Sequence, residues 1–263
     1  MPPPVFTVAG AFRETFAFVS RRPFPAFVFP LATSLLVALS QLIVIDSILV
    51  KFFANIFIII LFFGGMGAVA AAAADPDGIE LSPAECLRVS FARTPGFLAL
   101  MVFIFLVSMA AMIPLGIGTT FFRLMGHSSG GGIAFFVVIS IAVVVFLSWL
   151  CVTFSLTIQA MVVEEIGPMA ALSRSRELTY GNRLKIFIAY ILASLLPGVA
   201  LGWATYDTVR SGQILNPGIQ FIALNSVVSC ILNILIFSLF AIIYTNCASI
   251  SASKRVNDFS EVF

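Results

Sequence analysis

From Ile133 to Val163 the sequence contains no Asp, Glu, Lys or Arg. A run of that length has few homes. Roughly 20 consecutive apolar residues suffice to cross the hydrocarbon of a bilayer as a helix. Five further stretches share the character, so the expected spans are 26–50, 52–74, 97–117, 133–163, 184–203 and 219–251. The fourth and sixth exceed the minimum and have length to tilt or to project beyond the lipid. Lipid offers the backbone no hydrogen-bond partners, so helices are the only spans to expect. Charged residues make up 10% of the 263 and hydrophobic ones 60%. Soluble domains carry about 25% charge, and a chain this poor in charge cannot cover a globule with a wettable surface. The expectation is an all-α, polytopic membrane protein forming a single integral domain over residues 1–263.

The basic residues orient it. Arg13, Arg21, Arg22, Arg88, Arg93, Arg174, Arg176, Arg183, Lys185, Lys254 and Arg255 fall on one side of the six spans. Lys51, Arg123 and Arg210 fall on the other, and together these are all 14 bases. Loops rich in Lys and Arg stay in the cytoplasm, so both termini are expected there. The opening "MPPPVFTVAGAFRETF" lacks a basic stretch followed directly by an apolar core, so the chain is expected to keep its start and insert through its first span.

Little conventional chemistry fits. A net charge of +2 is too small to argue for nucleic acid. One histidine, His127, leaves no basis for a histidine metal site, and the four cysteines show no paired spacing. No metal, cofactor or catalytic residue is expected. "GHSSG" at 126–130 satisfies the spacing of a nucleophile elbow, but His127 is the chain neighbour of Ser128 and no second histidine exists. That motif works on a strand-to-helix turn with a separate base, so a glycine-rich loop is the better reading. "DPDG" at 75–78 reads as a turn.

Three segments share a plan. In "VFTVAGAFRETFAFVSRRPFPAF", Val5, Ala9, Phe12, Phe16 and Val19 make one apolar stripe, as in a helix lying on a membrane surface. In "LSPAECLRVSFARTPGF", Ser82 and Glu85 fit a capping box with Pro83 at the first helical position. Ala84, Leu87 and Phe91 share its expected apolar face. The third segment begins at Pro168. Each short helix ends at a basic break, at Arg22-Pro23, Arg93-Thr94-Pro95-Gly96 and Gly181-Asn182-Arg183, and each break leads into a helical hairpin. The chain therefore reads as three repeats of surface helix plus two spans, at 1–78, 79–163 and 164–263.

The stretch 162–187 is the most charged in an apolar chain, with Glu164, Glu165, Glu177, Arg174, Arg176, Arg183 and Lys185. Its plain reading is an elbow, with Arg183 and Lys185 reaching the headgroups. Met169, Leu172 and Tyr180 share a face on which Arg176 also falls, so Arg174 or Arg176 is expected to pair with Glu164, Glu165 or Glu177. Arg22, Arg93, Arg174, Arg176 and Arg183 are the candidate headgroup or elbow contacts, and membrane lipids, anionic ones included, are the expected partners. This stretch also resembles the YciC-like bacterial inner-membrane family, which is related to the membrane domain beside some glycerophosphoryl diester phosphodiesterases. The resemblance rests on Val162, Val163, Glu164, Gly167, Pro168, Ala171, Leu172, Arg174, Ser175, Arg176, Leu178, Thr179, Gly181, Asn182 and Arg183. It implies a multi-pass protein of the bacterial inner membrane and transfers no catalytic residue.

Polar residues inside spans are the remaining signal, because each needs a partner in lipid. Asn225, Ser229 and Asn233 recur every fourth residue on one face of the sixth span. Thr153, Thr157 and Gln159 lie in the fourth, Gln41 and Asp46 in the first, and Asn55 opens the second. Interhelical hydrogen bonding accounts for them simply; the alternative is a polar-lined cavity walled by Asn225, Ser229 and Asn233. Gly67 with Ala71, and Ala70 with Ala74, form small-residue pairs suited to close helix packing. Two functional classes follow: a protein that binds or moves a lipid or small solute, or an accessory subunit packed against a membrane partner or a second copy. An enzyme ranks behind both.

Overall fold

The computed structural model describes residues 6–42, 48–75, 82–124, 130–210 and 219–260. All elements among them are α-helical: α1 (Val8–Arg21), α2 (Pro23–Leu42), α3 (Ile48–Ala74), α4 (Pro83–Ala92), α5 (Thr94–Leu124), α6 (Gly130–Phe154), α7 (Thr157–Val163), α8 (Pro168–Thr179), α9 (Arg183–Arg210) and α10 (Ile219–Ser260). Among the described residues four stretches are long and apolar enough to cross a membrane: Phe52–Ala74, Thr94–Thr120, Ile133–Val163 and Ala223–Ala252. A fifth crossing results if α1 and α2, bent by 94° at Arg22, count as one broken span. The chain is thus a membrane protein by the length and apolarity of its helices. The other two expected spans fall on α2 and α9, outside those four.

Local sequence explains the short helices. Thr7 caps α1, its Oγ1 accepting from the Gly10 amide at 3.2 Å. The capping box on α4 forms as expected: Ser82 Oγ accepts from the Glu85 amide at 3.3 Å, and Glu85 Oε2 accepts from the Ser82 amide at 2.7 Å. The Ser82 amide, with its hydroxyl, holds the Glu85 carboxyl below the usual carboxylate range. Gly181, at φ 80°, takes the left-handed turn that ends α8 before α9 begins.

The buried faces of these helices differ from the apolar stripes expected. On α1 the buried residues are Ala11, Thr15 and Phe18, while Ala9 and Phe16 are exposed. On α4 they are Cys86 and Ser90, while Ala84 is exposed. On α8 they are Ala171, Leu172, Ser175, Leu178 and Thr179; Met169, Arg176 and Tyr180 point outward. Arg176 therefore does not sit on the inward face. In all three, small side chains occupy the centre of the contact, because they let backbones approach.

One end of the bundle is tightly packed. There α3 from Gly64 onward, α7 and the α10 stretch from Phe237 to Cys247 meet in a single core. The α4 helix lies on α3, α8 on α7, and α1 on α10, while α2–α3, α5–α6 and α9–α10 pair as hairpins. The three elbows share a register. Ala26, Phe97 and Ile186, each third after the start of its helix, donate their amides to the carbonyls of Arg22, Arg93 and Asn182 at 3.4, 3.1 and 3.0 Å. All three side chains are buried, as are Phe29, Leu100 and Ala189 three residues later. Thr15, Cys86 and Ser175, each eight residues before the same starting point, are buried as well.

Away from that end the helices spread. The most apolar window of Phe52–Ala74 is 56% buried, but that of Thr94–Thr120 is 17% and that of Ile133–Val163 only 11%. The small-residue stretch of α3 finds its partners within this chain. A side chain at Gly64 would meet Phe91 of α4, and one at Gly65 would meet Phe29 of α2 and Phe237 of α10.

Candidate functional site

The most developed polar constellation lies where α7, α8 and α10 converge, within the charged stretch. The apolar run Ile133–Val163 breaks at Ser155 and Leu156, separating α6 from α7. A break in a buried helix strands backbone groups that must find partners. Ser175 supplies them from α8. Its hydroxyl donates to the Thr153 carbonyl at 2.9 Å and accepts from the Leu156 amide at 3.2 Å. Thr179 Oγ1 donates to the same carbonyl at 3.4 Å.

Beside this stitch, Arg174 binds two carboxylates. Its Nε donates to Glu164 at 2.8 and 3.1 Å, and its Nη1 donates to Glu177 at 3.0 Å. The Tyr244 hydroxyl, from α10, donates to Glu164 Oε1 at 2.9 Å. Glu164 thus ties α8 and α10 to the end of α7, and Arg174 makes the pairing expected of this stretch. Arg174 and Glu164 are only 18% and 29% exposed at the side chain, so solvent screens the pair less than a surface one. Glu164→Ala is expected to lower stability by about 1–3 kcal/mol, because it leaves a part-buried guanidinium short of charge. Tyr244→Phe, which removes one hydrogen bond, should cost about 1 kcal/mol. Thermal unfolding in detergent checks both; equal effects would mean that Glu164 does no more than accept from the tyrosine.

The other expected contacts are mostly internal too. Arg22 Nη2 donates to the Asp75 carbonyl at 2.6 Å and lies 3.6 Å from its carboxylate, closing α1–α2 onto the end of α3. Arg93 pairs with Glu165 at 3.1 Å, and Glu165 holds a positive φ of 55°. Arg183 stacks over the Trp149 ring, 5.3 Å from its centroid. Lys185 Nζ donates to the Phe6 carbonyl at 2.9 Å. Arg22, Arg93, Arg174 and Arg183 therefore act as joints within the protein, while Arg176 is exposed.

On α10, Asn233 Nδ2 donates to Ser34 Oγ of α2 at 3.3 Å, so this member of the expected polar wall is an interhelical bond. Asn225 and Ser229 are half-buried. Thr157 bonds the Phe154 carbonyl at 2.8 Å, and Asn55 is exposed. Gln159 is fully buried with neither amide atom partnered within the protein, as is the Thr153 hydroxyl. Asp46, His127 and Ser128 lie outside the described residues, as does the Gln41 side chain. No His, Cys, Asp or Glu cluster able to hold a metal occurs among the described residues.

Sequence reasoning missed Ser90, Ser175, Tyr244 and Asn246. Ser90 Oγ donates to the Gly64 carbonyl at 2.7 Å, and Asn246 Nδ2 donates to Glu14 at 2.7 Å. For Ser90 and Ser175, hydroxyls on the small-residue side of α4 and α8 were the available signal. No protein-family model, curated protein or solved structure matches this chain.

Proposed function

We propose that the chain is a six-crossing protein of a bacterial inner membrane, built from three units, that binds or moves a lipid or small solute without catalysis. The units are 1–78, 79–163 and 164–263. Each surface helix rests on the second hairpin helix of the unit before it, and α1 rests on α10, so the order closes on itself. The common register at the three elbows supports the same reading. With α2 and α9 as crossings, the surface helices and their arginines fall on one side, and the positive-inside rule puts that side in the cytoplasm. The resemblance to the YciC-like family agrees with this arrangement.

The observation carrying the lipid reading is the contrast between the two ends. The surface-helix end is filled, whereas the opposite halves of the helices expose most of their apolar side chains. Asn225 and Ser229 lie half-buried in that open half, where polar groups in hydrocarbon require partners. A lipid lying against α10 between α2 and α9 would find apolar walls and these few polar anchors. Purification in a mild detergent, followed by mass spectrometry of retained lipids and proteins, tests this. One lipid class should be retained, and Asn225→Leu with Ser229→Leu should release it. The exposed apolar faces of α5 and α6 favour the second reading, an accessory subunit. A stoichiometric protein partner recovered with no retained lipid would select it.

A further inference from the structure

A cavity of about 570 Å³ lies between α1, the end of α3 and α10. Small-molecule sites span roughly 300–1,000 Å³. Arg13, Arg21 and Arg22 line it, against the single carboxylate of Glu14. Arg22 is paired with Asp75, and Glu14, which keeps its charge, accepts from Asn246. The Arg22 bond also satisfies the Asp75 carbonyl, just past the end of α3. Arg13 and Arg21 set the sign of what remains. Both are exposed and neither forms an ion pair among the described residues. They stand eight residues apart, about 12 Å along the helix at ~1.5 Å per residue. Ala17 lies between them, too short to fill the gap.

We infer that this cavity binds a phosphate-bearing ligand, its phosphate held between Arg13 and Arg21. Guanidinium groups present paired donors that fit phosphate oxygens. Two of them converging on one space suit a group with several acceptor oxygens better than a lone carboxylate. Asn246 borders the remainder of the ligand and supplies polar contact. The phosphate belongs either to a lipid headgroup or to a soluble phosphate ester. This site is separate from Asn225 and Ser229 and does not depend on lipid binding there.

The test uses the full chain in dodecyl maltoside, titrated with glycerol 3-phosphate, with short-chain phosphatidylglycerol and with the matching diacylglycerol. Binding of glycerol 3-phosphate identifies a soluble ester; binding of phosphatidylglycerol alone identifies a headgroup. The diacylglycerol should not bind. Arg13→Gln with Arg21→Gln should weaken binding by about tenfold or more, since both charge-assisted donors to the phosphate are lost. Ala17→Phe, which obstructs the space between the two arginines and leaves its charge unchanged, should do the same. Arg176→Gln should bind as the wild type does. The proposal fails if neither phosphate probe binds, if the diacylglycerol binds as well as they do, if the cavity variants bind normally, or if Arg176→Gln loses as much.

Discussion

Gly67→Val is expected to prevent accumulation of folded protein, or to lower its stability by about 3 kcal/mol or more, the upper end of overpacking costs. Gly67 is the point where α3, α4 and α7 touch. A Cβ there would collide with Ser90 Oγ and lie 2.8 Å from Val162 Cγ2. The displaced Ser90 would also lose its bond to the Gly64 carbonyl. Neither neighbour can retreat, because Ser90 and Val162 are themselves buried. Gly202→Val is the control. A Cβ at Gly202 meets nothing within 4 Å, so yield and thermal midpoint should stay near those of the wild type. Similar losses from the two variants would contradict the three-helix junction.

Ser175→Ala should cost about 2–4 kcal/mol. It removes one hydroxyl yet strands two buried backbone groups, the Thr153 carbonyl and the Leu156 amide. An unsatisfied buried donor or acceptor costs roughly 1–3 kcal/mol. Thr179 remains near the carbonyl, so the amide bears most of the loss. Hydrogen exchange therefore gives the sharper readout: the Leu156 amide should exchange faster in the variant, while protection within α3 stays unchanged. Unaltered exchange at Leu156 would show that the α6–α7 break does not depend on α8.

The sequence carries the coarse plan because lipid imposes it. Long uncharged runs must be helices, and Ser82, Pro83 and Glu85 announce the start of α4 by spacing alone. The basic breaks mark elbows that the fold places in a shared register. Faces were harder to read. Phe16 belongs to the apolar stripe expected to lie on the membrane, and it is exposed in the fold, while Thr15 beside it makes the protein contact. A surface helix held between protein and lipid is apolar on both sides, so hydrophobicity cannot choose the protein side. Small size can: Ala11 and Thr15, Cys86 and Ser90, and Ala171 and Ser175 mark the contact on each helix. Arg176 was expected on an inward face because it falls among Met169, Leu172 and Tyr180, but of these only Leu172 is buried, and the neighbouring Arg174 carries the ion pairs. The α6–α7 break was invisible for another reason. Its turn is stabilised by Ser175, which lies beyond the break in the chain, and no local pattern records such a partner. The same holds for Tyr244, whose tie to Glu164 joins residues 80 apart in sequence.

Topology is the most direct measure of the proposed three-unit, six-crossing arrangement. Reporter fusions after Gly126 and after Gly212 should both read as periplasmic, and one after Ser173 as cytoplasmic. That pattern requires Ile133–Val163 and α9 both to cross; a cytoplasmic reading from a reporter at the amino terminus, with α3 and α5 crossing, requires α2 to cross as well. A cytoplasmic signal after Gly126, or the same side for Ser173 and Gly212, would contradict the account.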